Sequence, residues 1–292
     1  MKTFSRNLII FTVCIALLQF ARPWLERQER IDLTTIDEAL DRDFVSRYYD
    51  VREAEDMNSL IGELFFKWNE RMQKAEAEYD TNPFTDDALR REESESFARC
   101  LKADGQFLPA PVKVYNGKPF NFPPFLYITM REARFRALML EELHRLCAGE
   151  SITFDVRRYD FYLYTVKNDK LDEYLTERYD GSIMMLKEKS LVLSDVIEMW
   201  QERYDVVYSK VLKMLEMYPR WKPSENDVTA AAGFVRAEAL WSEYAMSSYQ
   251  HISEEFGIQY AGEILLHNIR FRTLLLEEAL AMRPGGKWAA DI

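Results

Sequence analysis

LSDVIEMWQERYDVVYSKVLKMLEMY, residues 193–218, decides the fold. Leu193, Ile197, Trp200, Tyr204, Val207, Val211, Met214 and Tyr218 alternate spacings of 4 and 3 without a miss. That is the rhythm at which side chains return to one face of an α-helix, whereas a strand would alternate every second residue. A seam of about seven turns cannot bury its apolar face alone, so it implies neighbouring helices in a bundle. Pro219 stops it.

Working outward, the same rhythm recurs at Ile61, Phe65, Trp68, Met72, Ala75 and Tyr79, and Asp80-Thr81-Asn82-Pro83 breaks it. Thr85, followed by Asp86 and Asp87, opens a further helix that is expected to end with Cys100 and Leu101 ahead of Gly105. Another runs from about Phe125 to Cys147, with Gly149 as its stop. Ile152, Val156, Tyr159, Leu163 and Val166 share one helical face, so residues 152–167 read as helix despite their aromatic content. Near the start, Thr34 or Thr35 caps a segment beginning at Ile36, with Asp37 and Glu38 suited to its positive end. Ser224 caps an alanine-rich helix carrying Ala230, Ala231, Ala232, Ala237 and Ala245, whose small side chains admit a close neighbour. Gly257 punctuates that helix, and a last one runs from Ile258 to about Met282 before Gly285-Gly286. The expected fold is an all-α bundle of about seven or eight amphipathic helices. No internal repeat with a period of 20–50 residues is evident.

Residues 105–124 depart from this pattern. Prolines 109, 111, 119, 123 and 124 make them a strap, and Asn116-Gly117 between short apolar runs predicts a short hairpin near residues 112–120. Pro119 confines its second arm to an edge.

The first twenty-one residues read as an address. Lys2 and Arg6 precede the apolar run Leu8–Leu18, and no acid occurs before Glu26. This is an export signal or a short N-terminal membrane anchor. Leu8 to Ala21 spans about 21 Å as a helix, short for a bilayer core of about 30 Å. Against cleavage stand Gln19 at the −3 position for a cut after Ala21, and Pro23 just beyond. A buried N-terminal helix is the third reading; with either of the first two, residues 25–292 form a single extracytoplasmic domain, periplasmic or secreted. Six residues precede Asn7, too few for a cytoplasmic output module.

The chain carries 49 acidic and 38 basic residues, a net charge of −11, which becomes −13 without Lys2 and Arg6. Such an acidic surface repels phosphate backbones, which excludes nucleic acid as a partner. A membrane would be reached only through the N-terminal segment. Asn-x-Ser/Thr acceptor sites do not occur, which favours a bacterial origin. Cys100 and Cys147 remain after the signal, and in an oxidising compartment the pair predicts a disulfide. Each lies near a helix C-terminus, so a bond would require the two helices to run parallel with their ends adjoining. The alternative is two small buried hydrophobic side chains.

Sites are weakly marked. Each histidine has a carboxylate one turn away: Glu141 with His144, His251 with Glu254 and Glu255, and Glu263 with His267. Inward Glu-x-x-His pairs hold two metal ions in some bundles, but such sites need the motif twice, and here it occurs once in that order. A metal ion is therefore a secondary expectation and no cofactor is predicted. His267 shares a face with Ile264, Phe271 and Leu274 and reads as a core histidine. Arg157, Arg158, Tyr159, Tyr162 and Tyr164 could line a groove for a ring-bearing or sugar ligand, and Arg131, Arg134 and Arg136 could receive a carboxylate. Gly257–Gly262 has phosphate-loop spacing but lacks the Lys and hydroxyl that follow. Asp80-Thr81-Asn82 opens like a calcium loop, yet Thr85 and Arg91 replace its glycine and final glutamate.

No complete catalytic constellation stands out. The leading expectation is a non-enzymatic exported helical protein that binds a protein partner or small ligand. A metal-binding bundle, including a di-metal enzyme using the Glu/His pairs, is one alternative. An anchored extracytoplasmic sensor is another.

Overall fold

The computed structural model describes residues 38–48, 50–51, 54–81, 87–108, 114–115, 118–119, 124–150, 152, 154–160, 169–179, 186–217 and 229–281. Among these lie eight helices: α1 (Ala39–Tyr48), α2 (Ala54–Asp80), α3 (Asp87–Phe107), α4 (Pro124–Cys147), α5 (Lys170–Tyr179), α6 (Leu186–Met217), α7 (Ala230–Phe256) and α8 (Ile258–Ala281). The chain is all-α, a multi-helix bundle. The expected hairpin is a two-residue ladder, β1 (Val114–Tyr115) against β2 (Lys118–Pro119), antiparallel with Val114 opposite Pro119 and Tyr115 opposite Lys118. Residues 1–21, where an export signal or anchor is expected, and the greater part of the strap lie outside the described residues. No described helix is long and apolar enough to cross a membrane.

Two compact units divide the chain, residues 1–50 and residues 51–292. In the first, α1 buries Phe44, Val45, Tyr48 and Asp41, with the Phe44 and Tyr48 rings 5.9 Å apart. The second holds the other seven helices. There α2 packs on α4, α6 on α8, and α3 on α7. The long seam on α6 buries Leu193, Trp200, Tyr204, Val207 and Val211, with Val196 and Leu215 buried where Ile197 and Met214 are half-buried, and the α2 stripe buries Ile61, Trp68, Met72, Ala75 and Tyr79 while Phe65 is half-buried.

Helix directions follow from which side chains meet. Arg134 lies over Trp68 and Glu141 grips Arg71, so α2 and α4 run parallel. Leu193 touches Gly262 and Arg203 grips Glu277, so α6 and α8 are parallel too. Arg99 meets Glu243 while Phe107 meets Gly233, which makes α3 and α7 antiparallel. Residues 127–140 of α4 and 266–276 of α8 are buried on every side. These are the inner helices, and their Phe135 and Phe271 rings lie tilted against each other with centroids 4.8 Å apart.

Several sequence expectations need correction. Both cysteines are free thiols. Cys100 Sγ lies 3.3 Å from Asp104 Oδ2, and Asp104 and Glu132 share Arg272. Cys147 is fifteen residues beyond Glu132 on α4, about 22 Å along the helix, against the ~7 Å that a disulfide tolerates. The cause is helix direction. Glu93, near the start of α3, meets Arg136, whereas Asp104, near its end, lies level with Glu132, so α3 and α4 run antiparallel. Nor does α3 stop at Leu101; it continues through Gly105 to Phe107. Residues 154–160 are not helical. Asp155 Oδ1 accepts from Arg157 N at 2.9 Å and turns the chain, so Val156 and Tyr159 are buried by a turn and not by a helical face. Thr229, not Ser224, caps α7, accepting from Ala232 N at 3.2 Å. Gly149 (φ 78°) and Gly257 (φ 94°) do end α4 and α7, in backbone conformations that favour glycine.

Candidate functional site

The two inner helices carry charge where a bundle core is usually apolar. Arg131, Glu132, Arg134 and Arg136 on α4 are buried, as are His267, Asn268, Arg270, Arg272 and Glu278 on α8. A buried charge is tolerated only when paired and hydrogen-bonded, and these arginines reach across helices to achieve it. Arg131 Nη1 donates to Glu278, which also accepts from the Tyr127 hydroxyl at 2.6 Å. Arg136 forks onto Glu93. Arg270 forks onto Asp160 and also reaches Asp172 at 2.7 and 2.9 Å, fastening the 154–160 turn and α5 to α8. Arg134 Nη1 donates to the Tyr159 carbonyl at 2.9 Å.

Between α4 and α8 these side chains enclose a cavity of about 10 Å³, lined by Arg131, Tyr159, Asp160, His267, Arg270, Phe271 and Leu274. That is room for one water. His267 stacks edge-on against Tyr159, with centroids 4.4 Å apart, and also meets Phe154. Burial, then the neighbouring Arg270 and Arg158, push its pKa well below the usual histidine range. The imidazole is therefore neutral near pH 7, able to donate from one nitrogen and accept at the other. The cavity thus brings together Arg131, Tyr159 and His267 from the sequence candidates. Arg158 lies beside it, pairing with Glu142 at 3.0 Å, and Arg157 is exposed. Tyr162 and Tyr164 lie outside the described residues.

The remaining candidates scatter. Glu141 accepts two bonds from Arg71, at 2.6 and 2.7 Å. His144 sits in the last turn of α4. His251 Nε2 lies 3.0 Å from the Tyr79 hydroxyl, which donates to Glu255 at 2.9 Å. Burial foremost, then Glu255, raises the Tyr79 pKa, keeping that phenol protonated. Glu263 accepts from Tyr179, and its own pKa is raised, chiefly by burial. Among the described residues, no group of three or more His, Cys, Asp or Glu side chains converges to hold a metal ion.

Sequence reading missed Glu93, Asp104, Asp160, Asp172, Glu238, Arg270, Arg272 and Glu278. One signal was available: Arg270-Phe271-Arg272 sits in a stretch with apolar residues on every helical face. Such a helix is buried all round, so its charges must find partners. Which partners they find is not written locally. Comparison with protein-family models, curated proteins and solved structures finds no match for this chain.

Proposed function

We propose that this chain is an extracytoplasmic helical protein of non-enzymatic binding or structural role, exported or tethered by its N-terminal segment, with a protein or small ligand as partner. The observation that carries the reading is how the buried and half-buried charge is used. Arg71, Arg131, Arg136, Arg203, Arg270 and Arg272 each grip a carboxylate of another segment. Residue types that serve acid–base chemistry elsewhere are spent here on holding helices together. The His267 cavity, sized for one water, suits an internal solvent bridge better than an organic substrate. Recognition then falls to the outer faces, where Phe66 and Ile258 stand 68 % and 69 % exposed.

Fractionation tests the address, and elemental analysis tests the role. The full chain should be recovered outside the cytoplasm, and deletion of residues 1–21 should retain it inside. Purified protein should carry well under one transition-metal ion per chain. Stoichiometric metal that His251→Ala or His267→Ala releases would favour the metal-binding alternative. Cytoplasmic recovery of the full chain would overturn the address.

A further inference from the structure

Two sets of side chains in the bundle are the same set. Arg71 forks onto Glu141 at 2.6 and 2.7 Å, while Arg71 and Arg134 lie 4.8 and 5.4 Å from the centre of the Trp68 ring. Arg203 forks onto Glu277 at 2.7 and 2.9 Å, while Arg203 and Arg270 lie 4.6 and 5.6 Å from the Trp200 ring. The sequences match where the geometry does. Trp68-Asn69-Glu70-Arg71 corresponds to Trp200-Gln201-Glu202-Arg203. Arg134-Phe135-Arg136-Ala137-Leu138-Met139-Leu140-Glu141-Glu142 corresponds to Arg270-Phe271-Arg272-Thr273-Leu274-Leu275-Leu276-Glu277-Glu278. Even the ten-residue helices agree: α1 carries Leu40-Asp41, Phe44 and Arg47-Tyr48, and α5 carries Leu171-Asp172, Leu175 and Arg178-Tyr179. Helix order and length run in parallel, 10, 27, 21 and 24 residues for α1–α4 against 10, 32, 27 and 24 for α5–α8. Phe135 and Phe271, which correspond, touch each other. Such self-contact marks a two-fold axis.

Where two repeats share a frame, their differences stand out. Arg136 lies 5.0 Å from the Phe97 ring and forks onto Glu93; Arg272 lies 5.5 Å from the Trp241 ring and grips Glu238 at 2.9 and 3.2 Å. Arg136 has one further acid, Glu76 at 3.5 Å, whose side chain is 30 % exposed, whereas Arg272 has two further acids that are both buried. Asp104 bonds it at 2.7 and 2.8 Å, and Glu132 shares the same Nη1 at 3.3 Å. In the register that pairs Phe97 with Trp241, which sets Glu93 opposite Ala237, one residue before Glu238, Asp104 corresponds to Ser248, and in the register of α4 and α8, Glu132 corresponds to Asn268. Neither counterpart ionises.

We propose that the chain is a tandem duplication of one run of four helices, and that Asp104 and Glu132 have made the core around Arg272 a fully buried proton-binding element, where the second acid at Arg136 is the part-exposed Glu76. Three carboxylates, Asp104, Glu132 and Glu238, are each at most 5 % exposed, and one guanidinium touches all three. Two anions at one nitrogen in a dry interior repel strongly, so the cluster keeps a proton. Cys100 of α3 and Tyr204 of α6 also face it, with Sγ 3.3 Å from Asp104 and the hydroxyl donating to Glu238 at 2.6 Å. Arg131 and Tyr244 approach Glu132 from α4 and α7, but Arg131 is committed to Glu278. The Glu132 pKa is driven up by burial and by Asp104, with Arg272 opposing. Folding therefore takes up a proton, and stability falls as pH rises above the unfolded value of 4.5 toward the raised folded value.

Infrared spectroscopy and melting of the full chain test this together. Near pH 7 the wild type should show a protonated-carboxyl stretch that Glu132→Gln or Asp104→Asn removes. Between about pH 5 and pH 8 the wild type should lose Tm relative to Glu132→Gln by at least about 2–4 °C. Glu93→Gln, at the other arginine, should instead melt lower than wild type across that range. No protonated carboxyl, or a Glu132→Gln protein that loses ground to wild type as pH rises, would overturn the proton-binding element. A Glu93→Gln protein showing the same pH gain as Glu132→Gln would overturn the distinction between the repeats.

Discussion

At the scale of the residue, Trp200 shows how this core is built. It is fully buried, its Nε1 finds no hydrogen-bond partner among the described residues, and two guanidiniums lie against its ring. Its contribution is therefore packing and cation–π contact, not hydrogen bonding. Trp200→Ala should cost ~3–5 kcal/mol, while Trp200→Phe, which keeps a ring and deletes an unmatched donor, should cost under about 1.5 kcal/mol. Urea denaturation of both variants checks this, and equal losses would point to an unseen partner for Nε1. Arg272 is the opposite case, since Arg272→Met would strand Asp104, Glu132 and Glu238 without their cation. A loss of ~3–5 kcal/mol near pH 7 is expected, shrinking as the pH is lowered and the acids take up protons. His267 acts in the other direction. Its folded pKa is depressed, so the unfolded chain binds the extra proton, and stability falls as pH drops below the unfolded value of 6.5. His267→Phe should flatten that acid-side loss. The burial of Trp68 and Trp200 was legible from spacing. The roles of the arginines were not, because a charge on a periodic helix reads as solvated until its partner, often a hundred residues away, is known.

Elements met the sequence reading where periodicity was long and departed from it where a single residue was asked to decide. The α2 and α6 stripes returned as helices close to the expected limits, and Gly149 and Gly257 ended helices in backbone that favours glycine. Gly105 did not, because α3 continues to seat Phe107 against Gly233 of α7. A Cβ at Gly233 would come within 2.2 Å of the Phe107 ring, whereas one at Gly62 on α2 meets nothing within 4 Å. Gly233→Ala should therefore lose ~1–3 kcal/mol, and Gly62→Ala should gain about 0.5–1 kcal/mol. Thermal melts of the pair separate contact from propensity. The 154–160 turn was misread because Val156 and Tyr159 satisfy a helical face while Asp155 bends the backbone away from it. The disulfide was misplaced because cysteine count carries no helix direction. Thiol labelling without reductant should find both Cys100 and Cys147 free. Cys147, its pKa pushed up to about 11 by burial and Glu255, should react slowly, and Cys100 only on unfolding.

For the whole molecule, the repeat was present in the sequence, hidden by its period. The two stripes correspond at a constant step: Ile61 with Leu193, Phe65 with Ile197, Trp68 with Trp200, Met72 with Tyr204, Ala75 with Val207 and Tyr79 with Val211. Periods of 20–50 residues suit solenoids, and this repeat is several times longer. Shared apolar rhythm would not establish it, since any two amphipathic helices can be aligned. The repeated Trp–Arg–Arg–Glu contacts do, because they place the same four residue types in the same geometry on corresponding helices. Sequence alone left the candidate site dispersed for the same reason, as each buried arginine takes its carboxylate from a distant helix. A crystal structure of the chain is the most direct test of the duplicated, arginine-braced core. Superposing α2–α4 on α6–α8 should carry Trp68, Arg71, Arg134 and Glu141 onto Trp200, Arg203, Arg270 and Glu277, with both arginine–glutamate forks intact. An α4 antiparallel to α2, or Arg71 and Arg203 turned to solvent away from their glutamates, would contradict the account.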